Sequence, residues 1–309
     1  MNDLIRSAIA AEAEEAVDSR TVLAELHKRK RKPLALIIGV ATLTVAAAAT
    51  SVIVQTAVHK TDATPATAPS AASAVNVLLI GTDDANRTDA LVFARFNADG
   101  SASVISLPRD IYVGAAQDRI NSLYQSGPRA LTDEVQRLTG VPVDHYAAIK
   151  MSEFGRISTA VGGVEICLTA PAKDPRSGVD LPAGRQSVSG DQALAFLRQR
   201  FGLAHGDLDR IHRHQAFLTG LASKITKDNA AALARAVNGV VETDQGWDLL
   251  DFATRFQGPV KIRTTTLPVG EQVNRGGMVG YAPDPDQTKK FVEGYFGGDQ
   301  SPAQDGCVN

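Results

Sequence analysis

Two hydrophobic patterns alternate along this chain of 309 residues. Short apolar runs bounded by Gly, Asn or Asp read as strands, and stretches with apolar residues three and four apart read as helices. On these grounds strands are expected at residues 76–80, 90–96, 103–107, 146–149, 164–167 and 263–267. Helices are expected at 130–138, 151–161, 189–197, 208–225, 230–241, 247–256 and 286–296. The turn Asn97-Ala98-Asp99-Gly100 carries an Asp-Gly pair that suits a hairpin between the second and third strands. Gly140 and Gly162-Gly163 close helices, and Ser189 stands as an N-cap. Strands alternating with helices give an α/β class with a layered sheet.

One stretch breaks this rhythm. Residues 33–58 run for 26 positions without a charge. A bilayer core needs about 20 helical residues, so this segment is expected to span a membrane. Five consecutive cations, Lys28 to Lys32, precede it. By the positive-inside rule they place residues 1–32 in the cytoplasm and the rest outside. A cleaved signal peptide has a shorter apolar region of about 7–15 residues, so an uncleaved anchor is expected. Residues 59–74, rich in Ala, Thr, Pro and Ser, read as a linker, and residues 75–309 as the folded domain.

Charge then narrows the function. The chain has 32 basic and 34 acidic residues, a net charge of −2. Seven basic and six acidic residues lie in the first 32, which leaves −3 for the rest. Bulk basicity for nucleic acid is absent, so an anion site has to be built by local clustering. The two cysteines, Cys167 and Cys307, sit where an extracytoplasmic location permits a disulfide. Sequence leaves open whether they meet. A loop of that length would contribute on the order of 4–5 kcal/mol if closed.

Three polar clusters carry candidate chemistry. In the first, Asp83 and Asp89 flank Arg87 on the loop leaving the first strand. Mg²⁺ (or Mn²⁺) is held by one or two carboxylates plus phosphate and water oxygens. An arginine alongside can fork onto the same phosphate. Taken alone, the loop reads rather as a polar turn holding its own ion pair. In the second, Arg109 and Asp110 follow a strand end, where open α/β sheets bind ligands, and Arg119-Ile120-Asn121 follows. An ordinary exposed pair has the same sequence. The third holds Arg198, Arg200, Arg210, Arg213 and His214. Arg210, Arg213 and His214 are three and four apart and are expected on one helix face. Arg198 and Arg200 reach one ligand only if the helix ends near Leu197. The guanidinium fork suits phosphate. His205, His212 and His214 match no strong zinc spacing, and His145 reads as structural.

Together these pieces resemble the LytR-CpsA-Psr family of cell-envelope proteins. The matching segments are Asn76 to Asp83, Arg87-Thr88-Asp89, Ser106 to Asp110, Arg119-Ile120-Asn121, Val143 to Tyr146, Gly162-Gly163-Val164, the run to Arg200, and Gly206 to Gln215. They occur in the family's order and cover residues 75–224. The resemblance implies a three-layer α/β/α sandwich with a central mixed sheet and an apolar groove for a lipid tail. It implies transfer of a glycopolymer from a polyprenyl-pyrophosphate carrier to peptidoglycan, with teichoic acid, capsular polysaccharide and arabinogalactan among the family's substrates. By position, Asp83 and Asp89 match its Mg²⁺ carboxylates. Arg87, Arg109, Arg198, Arg200 and Arg210 match its pyrophosphate-binding arginines. Arg119, Arg213 and His214 are expected to join the substrate site, and Arg87, Asp89 and Arg109 to act in catalysis.

The sequence departs from the family in four respects. Asp83 and Arg87 are closer than usual, His214 stands where Gln is typical, and Arg119 stands where Lys is common. The second carboxyl-terminal domain of some actinobacterial members is expected to be absent. The expected partners are the lipid-linked glycan, peptidoglycan and the membrane, with no nucleic acid. A pyrophosphatase using water needs the same residues, and a non-catalytic lipid-pyrophosphate binder needs the arginines without the acid pair. A transcriptional regulator needs a DNA-reading element, for which residues 1–32 are too short.

Overall fold

The computed structural model describes residues 73–114, 118–226, 233–234, 237, 239–256, 258, 260–298 and 306–309. In chain order the strands are β1 (Val75–Thr82), β2 (Thr88–Phe96), β3 (Ser101–Ser106), β4 (Tyr112–Val113), β5 (Asp118–Arg119), β6 (His145–Lys150), β7 (Val164–Leu168), β8 (Ala172–Asp174), β9 (Val179–Leu181), β10 (Gly184–Val188), β11 (Val241–Thr243), β12 (Lys261–Thr266), β13 (Glu271–Arg275) and β14 (Met278–Ala282). The labelled helices are α1 (Pro128–Thr139), α2 (Phe154–Ala160), α3 (Gly190–Arg198), α4 (Asp207–Lys224), α5 (Leu249–Thr254) and α6 (Pro285–Gly297). The expected membrane span at 33–58 lies outside the described residues. Among those described, no helix is long and apolar enough to cross a membrane.

The architecture is mixed α/β around a six-stranded sheet of order β11-β6-β1-β2-β3-β12. β1 pairs parallel with β6, and β3 with β12, while β2 runs antiparallel between β1 and β3. Hence β1, β3, β6 and β12 point the same way. Their carboxyl ends at Thr82, Ser106, Lys150 and Thr266 share one edge, where ligand sites of such sheets form. The β2–β3 hairpin closes as its Asp-Gly pair requires, with Gly100 at φ 80° and Asn97 N donating to Ser101 O at 2.8 Å.

Strand alternation sends successive side chains to opposite faces. Leu78, Ile80, Phe93 and Ile105 pack under α1 (Leu131, Val135) and α6 (Val292, Phe296). Leu79, Val92, Ala94 and Val104 cluster with Leu218 and Ala222 of α4 and with Phe252 and Phe256. A third cluster joins β7 and β10 to α3 through Val164, Ile166, Val188 and Phe196. Cys167 and Cys307 are bonded across 140 residues. That bond seats Val308 beside Leu168 in a parallel bridge.

The strand and helix cores match the hydrophobic pattern, with three corrections. Val241 belongs to strand β11, not to a helix over 230–241, and part of that range lies outside the described residues. The 151–161 helix opens as a 3₁₀ turn, Met151–Glu153, before α2 begins. The short pairs β4–β5, β8–β9 and β13–β14 went unread, because strands such as Glu271–Arg275 are half exposed and lack an apolar run.

Gly220 sets how closely α4 can approach β7. A Cβ there would lie 2.3 Å from the Glu165 carbonyl oxygen. Helix propensity alone favours alanine by about 1 kcal/mol. The clash reverses the sign: Gly220→Ala is expected to lower stability by about 1–3 kcal/mol in urea unfolding, the usual range for overpacking.

Candidate active site

The loop between β1 and β2 folds around Asp83. Its carboxylate accepts from the amides of Ala85 at 2.9 Å and Arg87 at 2.8 Å, and from Arg87 Nε at 3.0 Å. Asn86 takes a positive φ of 57° to close the turn. The local ion pair is therefore present, and the Arg87 side chain remains 60% exposed.

The centre of the site is Asp89, at the start of β2. Asp89 Oδ1 accepts from Arg109 Nη1 at 2.6 Å and Arg200 Nη2 at 3.1 Å, and Arg210 Nη2 lies 3.3 Å away. Arg210 Nη2 also donates to the Asp89 carbonyl at 2.6 Å. A second carboxylate, Asp207, accepts from Arg109 Nε at 2.7 Å and Arg210 Nη1 at 3.2 Å. Next to these, Asp110 accepts from Arg119 Nη1 at 2.8 Å and Asn121 Nδ2 at 3.3 Å. Arg109 comes from the end of β3, Arg200 from beyond α3 and Arg210 from the first turn of α4. Sequence did not single out Asp207. Its signal was the i, i+3 spacing to Arg210 at the head of a helix.

Electrostatics follow from this packing. Burial pushes the Asp89 carboxyl up, but Arg210, Arg109 and Arg200 outweigh it and hold it below the usual range. Burial likewise opposes ionisation of Asp207, and Arg210 and Arg109 overcome it. Burial pulls the Arg210 guanidinium down, against the opposing pull of Asp89 and Asp207. Arg210 is 3% exposed, and its Nε has no hydrogen-bond partner. Three guanidinium groups against two carboxylates leave an excess positive charge with donor capacity to spare. Such an arrangement suits an oxyanion bearing several oxygens.

Several expected site residues lie elsewhere. α3 ends at Arg198, and Gln199 is extended with ψ 134°, so Arg200 turns toward Asp89 while Arg198 stays exposed. Arg213 and His214 flank Arg210 on the helix, about 60° and 40° to either side, but their side chains are taken by partners outside the Asp89–Asp207 cluster. Arg213 donates from Nε to the carbonyl of Asn309 and lies over the Phe196 ring, 4.9 Å from its centroid. His214 is buried, with Nε2 3.0 Å from the Leu197 carbonyl, which makes Nε2 the proton-bearing nitrogen. Burial, with Arg210 adding to it, pushes its pKa down to about 4. Its neutral imidazole lines the apolar cavity. His145 is structural, stacked on Trp247 and bonded to Asp244 at 2.8 Å.

An apolar cavity of about 190 Å³ adjoins the cluster. Gly81 and Ala90, neighbours of Thr82 and Asp89, form part of its wall with Leu79, Ile149, Phe154 and Phe217. Metal chemistry has fewer donors. Among the described residues, no three His, Cys, Asp or Glu side chains converge as a cage. Asp83 and Asp89, the carboxylates expected to hold a cation, are occupied by Arg87 and by Arg109, Arg200 and Arg210 respectively. A cation there has to compete with Arg87 for Asp83.

Fold and site thus define a mixed α/β protein with an arginine-ringed anion site opening beside an apolar cavity. The chain belongs to the LytR_cpsA_psr family, whose model matches residues 41–294. It is 35% identical over 233 residues to the cell wall biosynthesis protein LcpA of Corynebacterium glutamicum, covering 62% of this chain and 45% of that protein. The chain thus spans less than half the length of that relative. It is 30% identical over 208 residues to the Enterococcus faecalis polyisoprenyl-teichoic acid–peptidoglycan teichoic acid transferase TagU, covering 60% of this chain and 68% of that one. Among solved structures it resembles the LytR-Csp2A-Psr enzyme from Actinomyces oris, with TM-score 0.58 and 26% identity over 74% of this chain and 90% of the other.

His214 gives the site a stability signature. Its folded pKa of about 4 lies below the ordinary 6.5. Between these values the unfolded chain takes up a proton that the folded chain refuses. Stability is therefore expected to fall as pH drops from about 6.5 to about 4, by on the order of 3 kcal/mol. The lowered carboxyls of Asp89 and Asp207 contribute stability present above their ordinary value near 3.8 and lost below it, a separate window. Urea unfolding of His214→Gln between pH 4.5 and 7 should show a flatter profile than the parent chain.

Proposed function

We propose that this protein is a membrane-anchored phosphotransferase that moves a glycopolymer from a polyprenyl-pyrophosphate carrier to peptidoglycan. The observation that carries the reading is the convergence of Arg109, Arg200 and Arg210 on Asp89, beside an apolar cavity. One end of such a donor is a pyrophosphate and the other a hydrocarbon tail, and the site offers a surface for each. The Enterococcus faecalis relative, named for teichoic acid transfer to peptidoglycan, supports the same class. In this reading residues 33–58 anchor the chain, residues 1–32 are cytoplasmic, and the domain is a three-layer α/β/α sandwich outside the cell.

The side chains account for the chemistry as follows. Before substrate arrives, Asp89 and Asp207 hold the arginines in register. Pyrophosphate oxygens then take over part of that pairing, and the spare Nε–H of Arg210 supplies a further donor. A sugar hydroxyl attacks the phosphorus next to the glycan. A new phosphorus–oxygen bond forms as the bond to polyprenyl phosphate breaks. Arg109, Arg200 and Arg210 neutralise the charge that grows on the departing phosphate. Both Asp89 and Asp110 are paired with arginine, so neutralisation and positioning rather than a strong base carry the rate, as phosphoryl transfer requires. Asp83 and Asp89 would hold Mg²⁺ or Mn²⁺, which when bound adds Lewis-acid charge neutralisation.

The test incubates the full chain in detergent with a polyprenyl-pyrophosphate glycan, peptidoglycan fragments and Mg²⁺. Mass spectrometry should detect a phosphodiester-linked conjugate. Arg210→Ala and Asp89→Asn are each expected to lower kcat/KM by about 10²–10³, the usual cost of removing one preorganised charge partner. Free phosphorylated glycan without conjugate would overturn transfer in favour of hydrolysis.

A further inference from the structure

The donor reading leaves the acceptor without a place. The arrangement of the sheet edge restricts where it can stand. In phosphoryl transfer the attacking and leaving oxygens lie roughly in line. If the lipid tail occupies the apolar cavity, polyprenyl phosphate departs toward that cavity, and the attacking hydroxyl comes from the other side.

Strand alternation separates the two sides. Leu79 and Gly81 of β1, Ala147 of β6 and Val241 of β11 line the apolar cavity. Thr82 of β1, Ala148 and Lys150 of β6 and Glu242 of β11 line a second cleft, of about 280 Å³. Apart from Ile80, which also lines the cavity, and Ile149, which lines both, these are alternate positions on the same strands, so the two spaces open mainly on opposite faces of the sheet. Between them runs the loop 82–88, which leads into Asp89, and Asn86 of that loop also lines the second cleft. Another polar cleft near the site, about 360 Å³ with Arg185, His212 and Gln215, borders α4 and so lies on the cavity's face.

We infer that the cleft at Asn86, Lys150 and Glu242 is the acceptor subsite, and that it takes a sugar unit whose attached peptide bears a carboxylate. This rests on the transferase reading. The volume is near the small end of ligand pockets, about 300–1,000 Å³, which suits a sugar unit rather than a polymer. Its lining mixes donors and acceptors, as hydroxyl recognition demands. Glu242 accepts from Tyr124 Oη at 2.8 Å, and burial followed by Glu242 itself pushes the Tyr124 phenol up, so it stays a neutral donor. Asn86, at the left-handed position of the loop, adds a side-chain amide. The positive charge comes from Lys150 and Arg156. Arg156 is paired with Glu153 at 2.8 Å. Lys150 ends β6 with no ion-pair partner among the described residues, which leaves its ammonium for a carboxylate of the acceptor.

The test uses the full chain in detergent and, as probe, a soluble peptidoglycan disaccharide carrying its carboxylate-bearing peptide. Calorimetry without donor reads binding for the parent, Lys150→Ala, Lys150→Glu and Asn86→Ala. Lys150 is exposed, so its variants keep the fold. Lys150→Ala should bind the fragment about tenfold more weakly, and Lys150→Glu weaker still. In the transfer assay the same variants should raise the acceptor KM with the donor KM unchanged. Amidating the fragment's carboxylates should abolish the difference between the parent and Lys150→Ala. Unchanged binding in both Lys150 variants, or a rise in donor KM alone, would overturn the acceptor subsite and leave the transferase reading standing. Lys150-dependent binding in a parent chain that forms no conjugate would overturn the transferase reading and, with it, the acceptor role, leaving the cleft as a peptidoglycan-binding site.

Discussion

The structure depends on one carboxylate shared by three guanidinium groups. Asp89 is mostly buried and takes Arg109, Arg200 and Arg210 within 3.3 Å of a single oxygen. Taking such charges out of water is costly, and removing one partner of a buried pair typically costs about 3–5 kcal/mol. The ring holds because the carboxylates outbid burial: Asp89 and Asp207 stay ionised, and together they fix the approach of the end of β3, the segment after α3 and the head of α4. The same residues that stabilise the edge therefore preorganise it for an anion. In the proposed reaction, phosphate oxygens compete with these carboxylates for the arginines.

Helix α4 distributes this work around its circumference. Arg210 turns to the carboxylates and His214 and Phe217 to the apolar cavity, while Gln215 donates to Ser106 at 3.0 Å and to the Thr265 carbonyl at 2.9 Å. Arg213, on another side, holds the carbonyl of Asn309, a tail pinned by the Cys167–Cys307 disulfide. Gly220 lets the helix lie against β7. An arginine three positions from a catalytic candidate can thus be a packing residue, because another partner, here the Asn309 carbonyl and the Phe196 ring, takes its side chain.

The sheet edge divides the chemistry. Parallel β1–β6 and β3–β12 bring four strand ends together, and the register break between Gly81 and Thr82 releases the loop that carries Asp83 and Arg87. An apolar space lies on one face of this edge and a polar one on the other. A reaction that joins a lipid-linked donor to a hydrophilic acceptor needs such a division, since each substrate is excluded from the other's side by its own solvation.

Much of this was written locally in the chain. Apolar runs fixed five of the six strands of the central sheet, the Asp-Gly pair its first hairpin, and Asp83 with Arg87 a turn closed by contacts four residues apart. The order of the short motifs fixed the family. What the sequence could not decide were matters of direction and partnership. Arg109 and Asp207 meet across 98 residues, and Cys167 and Cys307 across 140, which no spacing rule reports. Arg198 and Arg200 differ by where a helix stops, and Arg213 and His214 by about a hundred degrees of rotation. Burial then made His214 a neutral wall of the cavity. Charge and periodicity are properties of the chain, but which charges meet and which are desolvated are properties of the packed fold.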